Sequence, residues 1–329
     1  TGLADPASHR LVVVFHPAPG ASRFDPDPAF TRHWGVHLLG IERPGYGASE
    51  AVPTGGRASF EEFADDVAEY LRQIRQSAQE LPTIPFRSVG VLGWGVGAVA
   101  ASVFAARHPH RLDALVLVDA PAHPSLDDLH APFRAADLGI RDEARVDAAH
   151  PGILARVHRM LDDAAGQGDS GIEFDRAACA SSAWLDDLDD ITVPAVLVYG
   201  DDHPFVDRAT DGSLIAARIP DARIAHVPET SGLAVAAVWS RILEHLAPRH
   251  GSIPGGKRGH RPLPGVTSRL SARSARPAAP RRSPAQAGRT SRAPPSCGGR
   301  RTPRAGRGTG RRRHPWGSAR RGRPATRRS

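Results

Sequence analysis

The chain of 329 residues contains one lysine, one methionine, two cysteines and no asparagine. Cys179 and Cys297 are too few and too far apart for a disulfide framework or a CxxC metal pair, which fits a reducing, cytoplasmic setting. No apolar run approaches the roughly 18 residues of a membrane span, and no signal-peptide pattern opens the chain. Lysine and asparagine have AT-rich codons, so their scarcity beside 42 arginines marks a very GC-rich gene.

Acid is missing from one region altogether. Residues 251–329 carry 22 Lys and Arg and no Asp or Glu. Residues 1–250 hold 21 basic against 35 acidic residues, so the overall +8 averages an acidic body and a basic tail. The length allows one large domain or two small ones, and the change of composition after Pro248 favours one domain over 1–248. The remainder, 249–329, is Arg, Pro, Gly, Ser and Ala with almost no apolar periodicity. Such a segment cannot bury enough surface to offset its ordering entropy, so a disordered tail is expected. Clusters such as Gly310-Arg311-Arg312-Arg313 have the charge for nucleic-acid phosphates. The same mixture arises when a GC-rich gene is read out of frame, and a non-native extension is the stronger expectation.

The body alternates strand and helix. Leu11–Phe15 is an all-apolar strand running into His16-Pro17-Ala18-Pro19-Gly20, and Val36–Leu39 is a second. Phe60, Phe63, Val67, Leu71 and Ile74 recur at helical spacing, with Ser59 and Glu62 as a capping box. Strand 89–92, helix 96–107 and strand 114–118 follow; later come strands 195–199 and 224–227 and a helix over Leu233–Leu246. This rhythm predicts an α/β fold with a parallel sheet covered on both faces. Residues 122–190 break it, with a helical piece at Ile153–Leu161, and read as an inserted helical cap.

Gly93-Trp94-Gly95-Val96-Gly97 stands between a strand and a helix. It resembles the G-x-S-x-G nucleophile elbow of the α/β-hydrolase family, with Gly95 in the place of the serine. Four more segments carry the resemblance across about residues 11–247. His16–Gly20 looks like the oxyanion loop, and Arg43-Pro44-Gly45-Tyr46-Gly47-Ala48-Ser49 is close to the R-P-G-Y-G-x-S turn. Gly200-Asp201-Asp202-His203-Pro204 is similar to the turn that carries the acid, and Val227–Leu233 to the turn that carries the histidine. The fold implied is α/β-hydrolase-like, and the activity by descent is hydrolysis of small ester or amide-type substrates, with no cofactor and no metal.

The departures fall on the chemistry. The resemblance places Gly95, His203 and Gly232 where serine, acid and histidine belong, with Asp202 one residue from the acid position. Loss of nucleophile or base costs on the order of 10⁶ in turnover, so impaired or absent catalysis is expected. Backbone N–H groups of Ala18 and Val96 are the implied oxyanion donors. His16, Trp94 and Asp119 are further pocket candidates, His16 more as a structural group than a base. By this reading Gly95→Ser alone restores nothing, and Gly95→Ser with Gly232→His is the informative pair. Two alternatives stand beside it. One is binding of a small molecule without catalysis, favoured by a more apolar pocket floor. The other is dinucleotide binding, because Gly93–Ala98 also satisfies G-x-G-x-x-A and Asp119 ends the next strand. Ten residues before Leu11 are too few for the hairpin that the family places there, so an exposed sheet edge is expected.

Overall fold

A computed structural model of the chain describes residues 10–80, 86, 88–228 and 230–248. The expected tail, its nucleic-acid contacts and residues 1–9 lie outside the described residues.

Among the described residues six strands form one sheet: β1 Arg10–Phe15, β2 His37–Ile41, β3 Ser88–Trp94, β4 Ala114–Val118, β5 Ala195–Gly200 and β6 Ala222–Val227. The order is β2-β1-β3-β4-β5-β6 and every pairing is parallel. Parallel strands need a crossover between them, and the helical stretches supply it. β4, all valine, leucine and alanine, is buried at every position, as a strand covered on both faces must be.

Helix α1 (Pro28–Trp34) links β1 to β2, α2 (Phe60–Glu80) links β2 to β3, and α3 (Val96–Arg107) links β3 to β4. Right-handed crossovers put α1 on one face and α2 and α3 on the other, because the chain steps left from β1 to β2 and then right. Between β4 and β5 lie α4 (Glu143–Ala149), α5 (Ile153–Ala164) and α6 (Ser170–Ser181). Helix α7 (Ser213–Arg218) precedes β6. The closing helix comes in two pieces, α8 (Ala234–Ala237) and α9 (Trp239–Leu246), broken at Val238 with φ −122° and ψ 24°. Both pieces keep the expected inward face, with Val235, Val238, Trp239, Ile242 and Leu246 buried. The Trp239 indole N–H donates to Thr31 Oγ1 at 2.9 Å, fastening α9 to α1.

At the start of α2, Ser59 Oγ accepts from the Glu62 N–H at 3.2 Å, the bond expected of Ser59 as the cap. The same hydroxyl donates to the Glu61 carboxylate at 2.7 Å.

The strand order reverses between β1 and β3. In an open parallel sheet ligands bind at the carboxyl ends of the strands, where such a reversal opens a crevice. The loops that leave β1 and β3 there are His16–Gly20 and the turn at Gly95.

Candidate functional site

Gly95 caps α3 with φ 57° and ψ −126°, a conformation that side chains of L-residues rarely adopt. Its N–H donates to Val118 O at 2.9 Å, tying the turn to β4. Every residue from Val89 to Ala105 is buried except Gly95. The glycines on either side are packing positions. A Cβ on Gly93 would meet the Ala98 Cα at 2.5 Å, and one on Gly97 would meet the carbonyl oxygens of Phe15 and His16 at 2.2 Å. A Cβ on Gly95 would have only Pro17 nearby, at 3.4 Å. The turn therefore has space for a side chain and carries none.

Val96 is the first residue of α3, where N–H groups have no partner within the helix. Ala18 is half-buried in the loop after β1. Both keep the N–H that an oxyanion donor requires. Trp94 is buried against Phe24, ring centroids 5.4 Å apart, and serves as wall packing.

His16 is fully enclosed. Its Nδ1–H donates to Pro17 O at 2.8 Å, and its Nε2 accepts from the Arg43 N–H at 3.2 Å. Only the neutral Nδ1–H tautomer satisfies both. Burial, then the Arg43 charge, hold its pKa well below the ordinary imidazole value, against the bond to Pro17. With both ring nitrogens engaged, His16 holds the loop and is not placed to take a proton.

Arg43 is the centre of a buried network that the sequence did not disclose. Its Nε and one terminal nitrogen make a fork to Asp175 of α6 at 2.6 and 2.7 Å. The other contacts reach His16 O at 2.6 Å and Pro17 O at 3.0 Å. The Tyr46 hydroxyl donates to Asp175 at 2.7 Å, and its ring lies under the guanidinium at 5.2 Å. Burial works against the Arg43 charge, but the charge and hydrogen bonds of Asp175 outweigh it and raise the pKa further. The Arg-Pro-Gly-Tyr turn is thereby locked to both the loop after β1 and helix α6.

The other expected positions lie at the ends of β4, β5 and β6. Asp119 follows β4 with φ 46°, the one non-glycine with positive φ among the described residues. Its Oδ1 accepts from the Gly200 N–H at 2.9 Å, while Oδ2 is buried without a partner. Burial pushes its pKa up to about 7, only partly offset by the Gly200 bond. Asp202 is exposed, its N–H bonded to Thr230 O at 3.0 Å. His203 accepts the Phe205 N–H at Nδ1. Burial, then the nearby Arg141 charge, bring its pKa down to about 4, with Asp211 opposing.

Gly232 has φ 64°, and the direction its side chain would take is filled. A Cβ there would lie 2.2 Å from Leu138 O, 2.5 Å from Gly139 C and 2.7 Å from Ile140 N. This corrects the expectation for Gly232→His: a histidine has no room unless the Leu138–Ile140 backbone moves. On its other side Gly139 rests on His203 and Pro204, where a Cβ would come within 3.1 and 2.9 Å. The turn at Leu138–Ile140, between β4 and α4, thus touches both positions.

A cavity of about 550 Å³ lies elsewhere, beside Leu126, Arg176, Cys179, Trp184 and Arg218. None of the expected site positions borders it. Among the described residues no group of His, Cys, Asp and Glu is arranged to hold a metal ion. No described helix is long and apolar enough to cross a membrane.

The sheet order, the turn at Gly95 and the Arg43–Ser49 turn define an α/β-hydrolase fold, and the profile of the alpha/beta hydrolase fold family matches residues 10–161. Solved structures agree on the fold. An alpha/beta hydrolase fold protein from Nakamurella multipartita is 23% identical, with a TM-score of 0.54, covering 73% of this chain and 92% of that one. The enol-lactonase from Burkholderia xenovorans LB400 is 18% identical, with a TM-score of 0.53 and coverage of 71% and 91%. An esterase from Exiguobacterium antarcticum is 18% identical, with a TM-score of 0.53 and coverage of 72% and 90%. A search of curated protein sequences finds no significant match.

Proposed function

We propose that this chain binds a small, carbonyl-bearing molecule at the carboxyl edge of its sheet without serine-hydrolase turnover. The observation that carries the reading is the filled space at Gly232. A serine mechanism needs a nucleophile, a base to take its proton and an acid to fix the base. Gly95 offers no hydroxyl, Gly232 no imidazole, and His203 stands where a carboxylate belongs. The nearest imidazole in the loop after β1, His16, already uses both nitrogens. What remains is backbone: the N–H groups of Val96, at the head of α3, and of Ala18, in the loop after β1, are the donors this reading assigns to a carbonyl oxygen.

A weak residual hydrolysis is the second reading, favoured by those same donors. Binding and an oxyanion hole alone leave about 10³–10⁴ over water. The dinucleotide alternative loses support at Asp119. Its carboxylate is buried and bonded to Gly200, whereas the ribose-binding acid of that motif must meet the ligand.

The test is activity-based labelling of the full-length chain with a fluorophosphonate, together with p-nitrophenyl ester turnover. No labelling is expected, and ester turnover no higher than that of Gly95→Ala. Covalent labelling of any serine with matching turnover sinks the reading.

A further inference from the structure

Arg218, the last residue of α7, lines the cavity beside Trp184 with one edge of its guanidinium unused. Its Nη1 donates to Leu185 O at 3.0 Å and to Asp186 at 3.2 Å. The Nε and Nη2 edge has no partner among the described residues. That edge can fork onto a carboxylate, and Arg43 uses the same edge on Asp175 within this fold. The bond to Leu185 O holds the guanidinium in place before any ligand arrives. Asp186 is 73% exposed and reaches Arg218 through one contact, and such a surface pair contributes little.

The walls are apolar or neutral. Trp184 is buried, yet its indole N–H has no acceptor among the described residues. The nitrogen is not sealed in either, so it opens onto the cavity that its residue lines. Leu126 is a second buried apolar surface there. Arg176 and Ala180, four residues apart on one side of α6, form a wall with Cys179. Arg176 donates to Leu126 O at 3.0 Å and so ties α6 to the segment after β4. Burial, then the Asp175 charge, push the Cys179 thiol up to about 12, so it is neutral and unreactive. The volume, about 550 Å³, falls within the roughly 300–1,000 Å³ of small-molecule sites.

We propose that this cavity is a second ligand site, and that it takes a small aryl carboxylate. The carboxylate lies on the free edge of Arg218 and accepts from the Trp184 N–H, while the ring packs against Leu126 and the α6 wall. A phosphate would answer Arg218 and leave the apolar walls wet. A neutral arene would cover the walls and leave Arg218 to water. None of the carboxyl-edge positions borders the cavity, so the site is independent of the non-hydrolytic reading.

The test is calorimetric titration of the full-length chain with 2-naphthoate, with inorganic phosphate and 2-naphthalenemethanol as its two halves. Saturable naphthoate binding at about 0.1–1 mM is expected, and each half is expected to bind about tenfold or more weakly. Arg218→Gln removes the fork and is expected to weaken naphthoate about tenfold. Ala180→Leu fills the wall and is expected to abolish binding. Both residues are exposed, so both variants are expected to fold as the unaltered chain does, which circular dichroism checks. The indole N–H resonance of Trp184 is expected to shift with the same constant in the unaltered chain and to stay in place in Ala180→Leu. Absence of binding overturns the proposal, and so does a titration that moves no indole resonance. Binding unchanged in both variants also overturns it, because the naphthoate then sits elsewhere on the chain. Equal affinity for 2-naphthalenemethanol would make the cavity an apolar cleft, and equal affinity for phosphate an anion hole; either result overturns the aryl carboxylate. None of these failures touches the non-hydrolytic reading, which stands or falls on labelling and ester turnover.

Discussion

Gly93, Gly95 and Gly97 alternate along one turn, and the physical demand on each is different. Gly93 and Gly97 let α3 approach its own strand and the end of β1, at distances no Cβ tolerates. Gly95 answers only to its positive φ. Gly93→Ala and Gly97→Ala are therefore expected to cost about 3 kcal/mol or more, as overpacking against backbone. Gly95→Ser is expected to cost about 1–3 kcal/mol of backbone strain and still fold. Urea denaturation of the three variants checks the ranking; equal losses at all three would contradict it. The sequence made the pattern of glycines legible, but not which of them had room. That distinction depends on what lies across the turn, the carbonyls of Phe15 and His16 and the side chain of Pro17, some 80 residues away along the chain.

At the scale of elements, the strongest tie between the sheet and the inserted helices is Arg43 to Asp175. Both side chains are wholly buried. Removing one partner leaves a charge without compensation, so Asp175→Asn is expected to lose about 3–5 kcal/mol. Tyr46→Phe, which removes one hydrogen bond, is expected to lose about 1 kcal/mol. Replacing the pair together, Arg43→Met with Asp175→Leu, should recover part of the larger loss, the rest remaining because the Tyr46 hydroxyl and His16 O lose their partners. Equilibrium unfolding of the four proteins measures it, and a double variant as unstable as the single one would refute the ion-pair account. Arg43 was visible in the sequence through the turn it belongs to. Asp175 was not, because nothing in Ser-Gly-Ile-Glu-Phe-Asp-Arg marks one acid of α6 as the partner of an arginine 132 residues earlier. The strands fared better. Their apolar runs are local, and the observed bounds lie within two residues of the expected ones at every end. The closing helix kept its periodicity while breaking at Val238, a detail too fine for periodicity to show.

For the whole molecule, stability should depend on pH through Asp119. Its folded pKa, about 7, stands above the ordinary 3.8 because burial disfavours the charge. The folded state therefore holds a proton that the unfolded state gives up between those values. The contribution is fully present below about pH 4 and is lost as pH rises through about 7. Asp119→Asn keeps an acceptor for the Gly200 N–H and tolerates positive φ, yet cannot ionise. Its stability relative to the unaltered chain is expected to improve from pH 5 to pH 8, at about 1.4 kcal/mol per pKa unit crossed. Thermal unfolding of both proteins across that range would show the gap widening. A constant gap would mean that Asp119 ionises in the fold at its ordinary pKa.

The buried pair also bears on how the chain can reach its fold. Arg43 leaves water at the exit of β2, yet its carboxylate arrives only with α6, and β5 and β6 come later still. A fragment ending at residue 161 would have to bury a guanidinium with no counter-charge, or leave the loop after β1 unfastened. Such long-range pairings make folding slow, because the chain closes a large loop before the contact repays it. The early strands and the inserted helices must then commit together, so this domain completes its core only after α6 has been made.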